Sequence, residues 1–179
     1  MFRRSEIRKN EYATRIDFQQ IFTEDITGLH QLALLLTADA QKAEECVVAG
    51  LEDSISGNHV FKQWARSWAK RAIIKRAIQA VSPSNAVNGK LESLAATGDA
   101  RRDQLIAAVS GLEPLDRFVF VIAVLEGYTL AECAALLAVS APQVIAAKTR
   151  ALEKMTAVLK PESVLAMYSA AKPKLAATA

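Results

Sequence analysis

Apolar residues recur every three or four positions along most of the chain, which is the spacing of amphipathic helices. The pattern runs through 16–36, resumes over 40–53 after a predicted Asp N-cap, and continues over 60–80. It returns in segments over 105–137 and again over 142–159. We find no convincing run of alternating β-branched residues. The hydrophobic pattern therefore predicts an all-α fold.

The pattern weakens over 81–103, where Pro83, Gly89 and Gly98 lie among Ser, Asn, Asp and Thr. A connection of this length is unusual inside one compact domain, so we interpret it as a flexible linker. The last residues of the chain have the composition of a disordered segment. The sequence thus predicts two small helical domains at 1–80 and 104–160, the linker at 81–103, and a mostly disordered tail at 161–179.

The segment 126–150, EGYTLAECAALLAVSAPQVIAAKTR, has the rhythm of a helix, a tight turn and a second helix. Thr129, with Glu132 three residues later, predicts a capping box for the first helix, and Ser140 predicts an N-cap for the second. The inner face is predicted to contain Leu130, Ala134, Leu137, Val139, Val144, Ala151 and Met155. The outer face of the second helix offers few long polar side chains, and those able to reach a DNA groove are Gln143, Thr149 and Arg150.

Charge changes this picture through its distribution more than its total. The formal charge is only +3, which excludes a globally basic coat. Within 59–78, however, basic residues occur without any acidic side chain, and Trp64 and Trp68 share one predicted face. Two interpretations stay open: a phosphate-binding surface, or a solvated face on a helix whose tryptophans enter the core. The basic residues are Lys62, Arg66, Lys70, Arg71, Lys75 and Arg76.

Residues that carry catalysis or bind metals are sparse. His30 and His59 are the only histidines, neither stands in a recognisable metal-binding motif, and the glycines form no phosphate-binding loop. Cys46 and Cys133 lie far apart on apolar helix faces, so we expect buried thiols in a reducing compartment. The sequence therefore predicts no enzymatic activity, no cofactor and no metal.

Two features bear on the membrane. The N-terminal segment is charged and lacks the apolar core of a signal peptide. The longest apolar run, 118–125, is much shorter than the roughly 20 residues that span a bilayer. We therefore expect a soluble, cytoplasmic protein with no membrane partner.

Residues 111–155 resemble region four, the C-terminal domain, of bacterial RNA polymerase sigma factors of the extracytoplasmic-function type. The resemblance follows that family's motifs in order, from a Leu-Pro-like start and an Arg to the turn between the two helices. The matching positions are Leu112, Pro114, Arg117, Glu126-Gly127-Tyr128-Thr129, Glu132-Cys133-Ala134, Leu136-Leu137 and Ala138-Val139-Ser140. Upstream, 32–53 and 61–77 resemble the family's region two, a leucine-rich helix followed later by a Trp-containing basic helix.

The resemblance implies a transcription initiation protein that binds core RNA polymerase and promoter DNA. It also allows an anti-sigma protein as a partner, and it implies no small-molecule substrate. The polymerase-binding surface would lie on the 40–53 helix, at Glu44, Glu45, Val48 and Ala49. The first domain would contact DNA through the basic residues named above. In the second domain, the candidate DNA contacts are Arg117, Gln143, Thr149 and Arg150.

The sequence departs from the family at both binding surfaces. The family's recognition helix commonly reads Gly-Thr-Val-Lys-Ser-Arg, whereas this chain has Pro-Gln-Val-Ile-Ala-Ala at 142–147. Loss of two cations predicts weaker DNA binding by this domain and a salt slope flatter by about two units. An alternative therefore stays open: a degenerate sigma-like regulator or adaptor that acts through protein contacts around Val48, Ala49, Ile145 and Ala146.

Overall fold

The computed structural model describes residues 11–56, 60–82 and 100–158. Apart from turns and one isolated antiparallel bridge between Tyr12 and Phe61, the described residues are helical, which confirms the all-α prediction. The chain divides into two compact units, Met1–Ala80 and Val81–Ala179. Most of the predicted linker, the whole predicted tail and His59 lie outside the described residues, so the linker and tail stay predictions.

The first unit packs its helices around a core of aromatic and aliphatic side chains, among them Phe18 and Ile73. Asp39 caps one helix as predicted, because its carboxylate accepts the Lys42 N–H at 3.0 Å. Thr14 and Asp17 form a capping box on another. The described helices are α1 (Arg15–Glu24), α2 (Ile26–Thr37), α3 (Ala40–Ile55) and, after a 3-10 turn (Lys62–Trp64), α4 (Ala65–Val81).

Helices α3 and α4 approach each other closely at Gly50. A Cβ atom on Gly50 would lie 2.8 Å from Cγ1 of Ile73, inside van der Waals contact, so only glycine leaves room for this approach. Ile73 is fully buried at this contact. The pairing turns the apolar side of α4 towards α3 and leaves the basic side chains of α4 at the unit's surface.

In the second unit, the first helix that the structure describes begins at Ala100, inside the segment predicted to be a linker. A later helix becomes π-helical, and the Glu126 N–H donates to the Val121 carbonyl at 2.9 Å. Gly127 follows with φ of 76°, a left-handed conformation that glycine adopts without strain and that ends the helix. The described helices are α5 (Ala100–Ser110), α6 (Pro114–Val119) with its π-helical continuation (Phe120–Leu125), α7 (Leu130–Leu137) and α8 (Ala141–Val158).

Helices α7 and α8 form a helix-turn-helix, with a bend of 106° between them. The predicted capping box is confirmed: the Glu132 N–H donates to Thr129 Oγ1 and the Thr129 N–H donates to the Glu132 carboxylate. Ala138 ends α7 in the left-handed region, with φ of 53°. Ser140 precedes α8 as predicted, and its N–H and hydroxyl both donate to Gln143 Oε1.

Two burial predictions need correction. Leu130 is 36% exposed, and the inner face of α7 is formed by Cys133 and Leu137. Leu130 has nearly the angular position of Leu137, but it lies two turns away at the first residue of the helix, where side chains are less covered. Trp64 is 56% exposed, because α4 begins one residue later and the helical face containing Trp68 does not extend back to it.

Candidate nucleic-acid interface

In the first unit, the six basic side chains predicted to contact DNA lie on α4 and on the 3-10 turn before it. None is buried: Lys62, Arg66 and Lys75 are exposed, and the other three are half-buried. Small and aliphatic residues such as Ala69 and Ile73 form the buried side of α4. The helix therefore packs and presents positive charge at once, as its sequence predicts.

Acidic residues from α1 and its C-terminal end pair with two of these cations. Arg66 contacts the carboxylates of Asp25 at 3.0 Å and Glu24 at 3.3 Å. The Lys62 ammonium lies 3.2 Å from Asp17, although hydrogen bonds from Thr14 are the main reason that the pKa of Asp17 is lowered. All of these side chains are partly exposed, so each pair contributes at most about 1 kcal/mol. A phosphate could replace such carboxylates at small cost.

Arg76 is held more tightly, by Asp53 of α3. Its Nε donates to Asp53 Oδ2 at 2.6 Å, and a second guanidinium nitrogen donates to Oδ1. These hydrogen bonds lower the pKa of Asp53 and raise that of Arg76. Because the guanidinium is committed to a bidentate contact with the neighbouring helix, Arg76 is a weaker candidate for a phosphate contact than the sequence suggests.

Arg71 and Lys75 differ from the other cations of this surface. Within the described ranges, no acidic side chain forms an ion pair with either of them at 4.0 Å or less. Lys70, by comparison, is half-buried and has a partner. Arg71 and Lys75 lie one turn apart on the same side of α4, which concentrates positive charge at one place. Among the described residues of the first unit, they are therefore the best-placed candidates for phosphate contacts.

The four residues predicted to bind polymerase lie on the outward side of α3. Glu44, Glu45 and Val48 are exposed, and Ala49 is half-buried. The Val48 side chain is 59% exposed. The side-chain amide of Gln41, one turn before Glu45 on α3, donates a hydrogen bond to the Glu45 carboxylate at 3.1 Å. The result is an apolar spot with acidic neighbours, a character that suits a protein partner better than DNA.

The recognition helix α8 buries Val144, Ala151 and Met155 as predicted, together with Ala147. Its outward side chains are already occupied in local contacts. Gln143 is exposed, but its carbonyl oxygen accepts from Ser140, and the Thr149 hydroxyl donates to the Ile145 carbonyl at 3.1 Å.

Ile145 itself is 51% exposed, and Ala146 beside it is exposed as well. The outward face of the first turns of α8, over 141–146, is thus largely apolar.

Arg150 is bound to a carboxylate that the sequence analysis missed. Its Nε lies 3.2 Å from each oxygen of Asp116, and its NH2 donates to Oδ1 at 2.6 Å. The Asp116 side chain is 1% exposed, and Lys154 lies 3.9 Å from it. These hydrogen bonds raise the pKa of Arg150. Arg150 therefore ties α8 to α6. The signal in the sequence is that Asp116 is the one acidic residue of 114–125, a mainly apolar stretch.

Arg117 corrects a prediction. The family resemblance predicts a DNA contact at this position, but the Arg117 side chain is only 6% exposed. Its NH1 donates to the carbonyls of Leu112 at 3.2 Å and Ser110 at 3.3 Å, and burial lowers its pKa. The guanidinium therefore satisfies carbonyl groups at the turn between α5 and α6 and cannot reach a phosphate in this arrangement.

The cysteines are buried and unpaired, as predicted. Burial raises the pKa of Cys133 to about 11 and also raises the pKa of Cys46. Both thiols are therefore protonated at neutral pH and unsuited to nucleophilic chemistry. Among the residues that the structure describes, no group of His, Cys, Asp and Glu side chains has the arrangement of a metal site.

Comparison with known proteins adds one finding. Residues 102–155, which run from α5 into α8, match the family model of Sigma-70, region 4. No curated protein and no solved structure matches the chain significantly. The second unit is thus similar to the helix-turn-helix domain of sigma factors, which supports a sigma-factor-like protein active in transcription and DNA binding. The resemblance of the first unit to region two stays a prediction.

In the described part of the chain, no single helix has the length and apolar character needed to cross a membrane. Helices α7 and α8 meet that test only when taken together across their 106° bend.

Proposed function

We propose that this protein is a sigma-like transcription initiation factor that binds core RNA polymerase and promoter DNA. The observation that carries the proposal is the Sigma-70 region 4 match over 102–155, which coincides with a capped helix-turn-helix whose inner face is well packed. A helix-turn-helix of this kind places its second helix against a DNA groove. An anti-sigma protein would be a natural regulator of such a factor.

In this proposal the first unit supplies polymerase binding through α3. Val48 is the centre of the contact, with Glu44 and Glu45 beside it. An exposed apolar side chain with charged neighbours resembles the anchor and rim of a protein interface. The α4 surface then holds DNA. Arg71 and Lys75 form no close ion pair among the described residues, and Lys62 and Arg66 are in exchangeable surface pairs.

The second unit contributes less to reading the promoter than its shape suggests. Arg117 is buried, Arg150 is bound to Asp116, and Gln143 caps its own helix. Thr149 and the second polar group of Gln143 are the contacts that could still reach a base edge. We therefore expect this unit to dock on the upstream promoter element with low sequence discrimination.

The test is reconstitution with core RNA polymerase and a set of promoter fragments. Promoter-dependent transcripts and a complex stable at low salt are expected. Val48→Asp places a charge at the centre of the proposed contact, so polymerase affinity should fall at least about tenfold. Ile16→Asp is the matched control, since Ile16 is 73% exposed on α1 and outside the contact. Absence of any complex with the unaltered chain at low salt would contradict the proposal.

A second candidate function is a sigma-like adaptor that acts through protein contacts. The observation that favours it is the apolar outward face of α8, with Ile145 half-exposed and Ala146 beside it. An adaptor should bind promoter and scrambled duplexes equally and weakly. A gel-shift titration of both duplexes near physiological salt separates the candidates, because preference for the promoter duplex excludes the adaptor.

A further inference from the structure

A surface cavity lies beside Arg71 and Lys75, the two cations of α4 that form no ion pair at 4.0 Å or less in the described part of the chain. Its volume is 210 Å3, and it is lined by Asp53, Trp68, Arg71, Ala72 and Lys75. Arg71, Ala72 and Lys75 follow Trp68 at spacings of three, four and seven residues, so all four share one side of α4. Asp53 comes from α3 and forms part of the opposite wall.

The cavity combines an anchored ring with positive charge. Trp68 packs against the buried cluster of Phe18, Val60 and Ala65, which fixes the indole in place. Ala72 is a small residue between longer ones, and the short side chain leaves the space open.

The charge of the cavity favours an anion. The one carboxylate in its lining, that of Asp53, already accepts two hydrogen bonds from Arg76. With this charge compensated, Arg71 and Lys75 give the cavity a net positive character. A flat ring against Trp68 and an anionic group between the two cations would satisfy both features of the lining.

We propose that this cavity binds a free nucleotide, with the phosphate between Arg71 and Lys75 and the base against Trp68. The site is smaller than the about 300–1,000 Å3 of pockets that enclose a drug-sized ligand, so the ligand is a mononucleotide held partly in solvent. Bound there, a nucleotide occupies the cations of α4 that are best placed for DNA and competes with DNA for them. The proposal does not depend on polymerase binding.

Tryptophan fluorescence can test this directly, because the chain has only two tryptophans, Trp64 and Trp68. In a Trp64→Phe background, Trp68 is the sole reporter. Titration with AMP should give saturable quenching, and inorganic phosphate should bind at least about tenfold more weakly because it lacks the ring. Arg71→Gln and Lys75→Gln should each weaken AMP binding about tenfold. Lys42→Gln, which removes an exposed cation of α3 that pairs with Asp39, should leave it unchanged.

Three outcomes overturn the proposal. No quenching by AMP shows that the cavity is empty of this ligand. Equal binding of phosphate and AMP shows that the ring makes no contact. Quenching by a short single-stranded oligonucleotide but not by AMP shows that the site serves a nucleic-acid strand, which supports the DNA-binding role of α4 while excluding a free nucleotide. Circular dichroism of each variant shows whether the helices are intact.

Discussion

Helices α4 and α8 both carry arginines that sequence analysis assigns to DNA, but the structure uses these arginines differently. On α4, Arg66 pairs with carboxylates that are themselves 31% and 50% exposed. On α8, Arg150 pairs with Asp116, whose side chain is 1% exposed. The first kind of pair exchanges with solvent ions at little cost, whereas the second compensates a charge that water cannot reach.

The difference separates a cation that can bind a ligand from one that holds the fold. A phosphate that captures Arg66 leaves Asp25 and Glu24 in water, where they are stable. A phosphate that captures Arg150 leaves Asp116 buried with only Lys154 at 3.9 Å. Counting basic residues on a helix therefore overestimates its nucleic-acid contacts unless the burial of each partner carboxylate is known.

The largest predicted effect is on the free energy of unfolding. It compares the loss of an arginine that pairs with a buried carboxylate with the loss of one that pairs with an exposed carboxylate. Arg150→Gln leaves the Asp116 carboxylate nearly uncompensated, so the second unit should lose about 3 kcal/mol of unfolding free energy. Arg76→Gln is the matched change in the first unit. Its partner Asp53 is 41% exposed and regains water, so the loss should be much smaller.

Hydrogen exchange with mass spectrometry measures both losses in the full chain, since each unit is read from its own peptides. Protection across α8 should fall about 100-fold in Arg150→Gln, and protection across α4 should fall less than about fivefold in Arg76→Gln. Equal losses in the two variants would contradict the distinction between the helices. An Asp116→Asn, Arg150→Gln double variant should recover part of the loss, because the buried charge is then absent.

The sequence predicts the fold well because the signals that define it are local. Helical periodicity and the caps at Asp39 and Thr129 depend on residues within a few positions of each other, and all are confirmed. The burial of Trp64 and Leu130 is predicted wrongly. Leu130 is the first residue of α7 and Trp64 lies just before α4. At a helix start, the angular position of a residue alone does not decide how far its side chain is buried.

The candidate site is less predictable, because its charges are set by partners distant in sequence. Arg66 meets acidic residues 41 and 42 positions away, and Arg150 meets Asp116 34 positions away. No acidic residue lies near the α4 cations in sequence, yet in the fold α1 and α3 place several carboxylates beside them. Arg117 fails for a related reason, since its carbonyl partners become a site only when α5 and α6 turn towards each other.

The next effect concerns DNA affinity. Replacing Arg71 and Lys75 together by Gln removes the two α4 cations that form no close ion pair among the described residues. The log–log salt slope for duplex binding should therefore flatten by about two units. On α8, replacing Gln143 and Thr149 by Ala removes no charge, and the slope should not change. Filter binding over a range of salt concentrations measures both slopes.

An Asp25→Asn variant tests the exchangeable pairs on the same assay. Removing this carboxylate releases part of Arg66 and deletes a nearby negative charge, so affinity for duplex DNA should rise at low salt. Glu153→Gln on α8 is the charge-matched control, since Glu153 is exposed and has no such partner in the described ion pairs. Loss of affinity in Asp25→Asn would mean that Arg66 must be held by its carboxylate to bind.

A smaller effect is expected at the start of α8. Gln143→Ala removes the oxygen that accepts the Ser140 N–H and hydroxyl, and loss of such a cap costs about 0.5–1 kcal/mol. Exchange protection should fall by less than tenfold and mainly in the first turn of α8. Gln41→Ala on the exposed side of α3 is a control in which only a surface contact to Glu45 is lost.

The smallest effect is the pH dependence of the Asp53–Arg76 pair. The pKa of Asp53 is lowered from its ordinary 3.8, mainly by the hydrogen bonds from Arg76, so the folded state binds this proton less readily than the unfolded chain. The pair therefore stabilises the first unit above about pH 4, and this contribution is lost as pH falls through the folded-state pKa. Because both side chains are partly exposed, the gain is small. Urea unfolding followed by tryptophan fluorescence should show Asp53→Asn slightly less stable than the unaltered chain at pH 7, and this difference should shrink as the pH is lowered below about 4. A difference that grows on acidification would mean that the pair destabilises the fold.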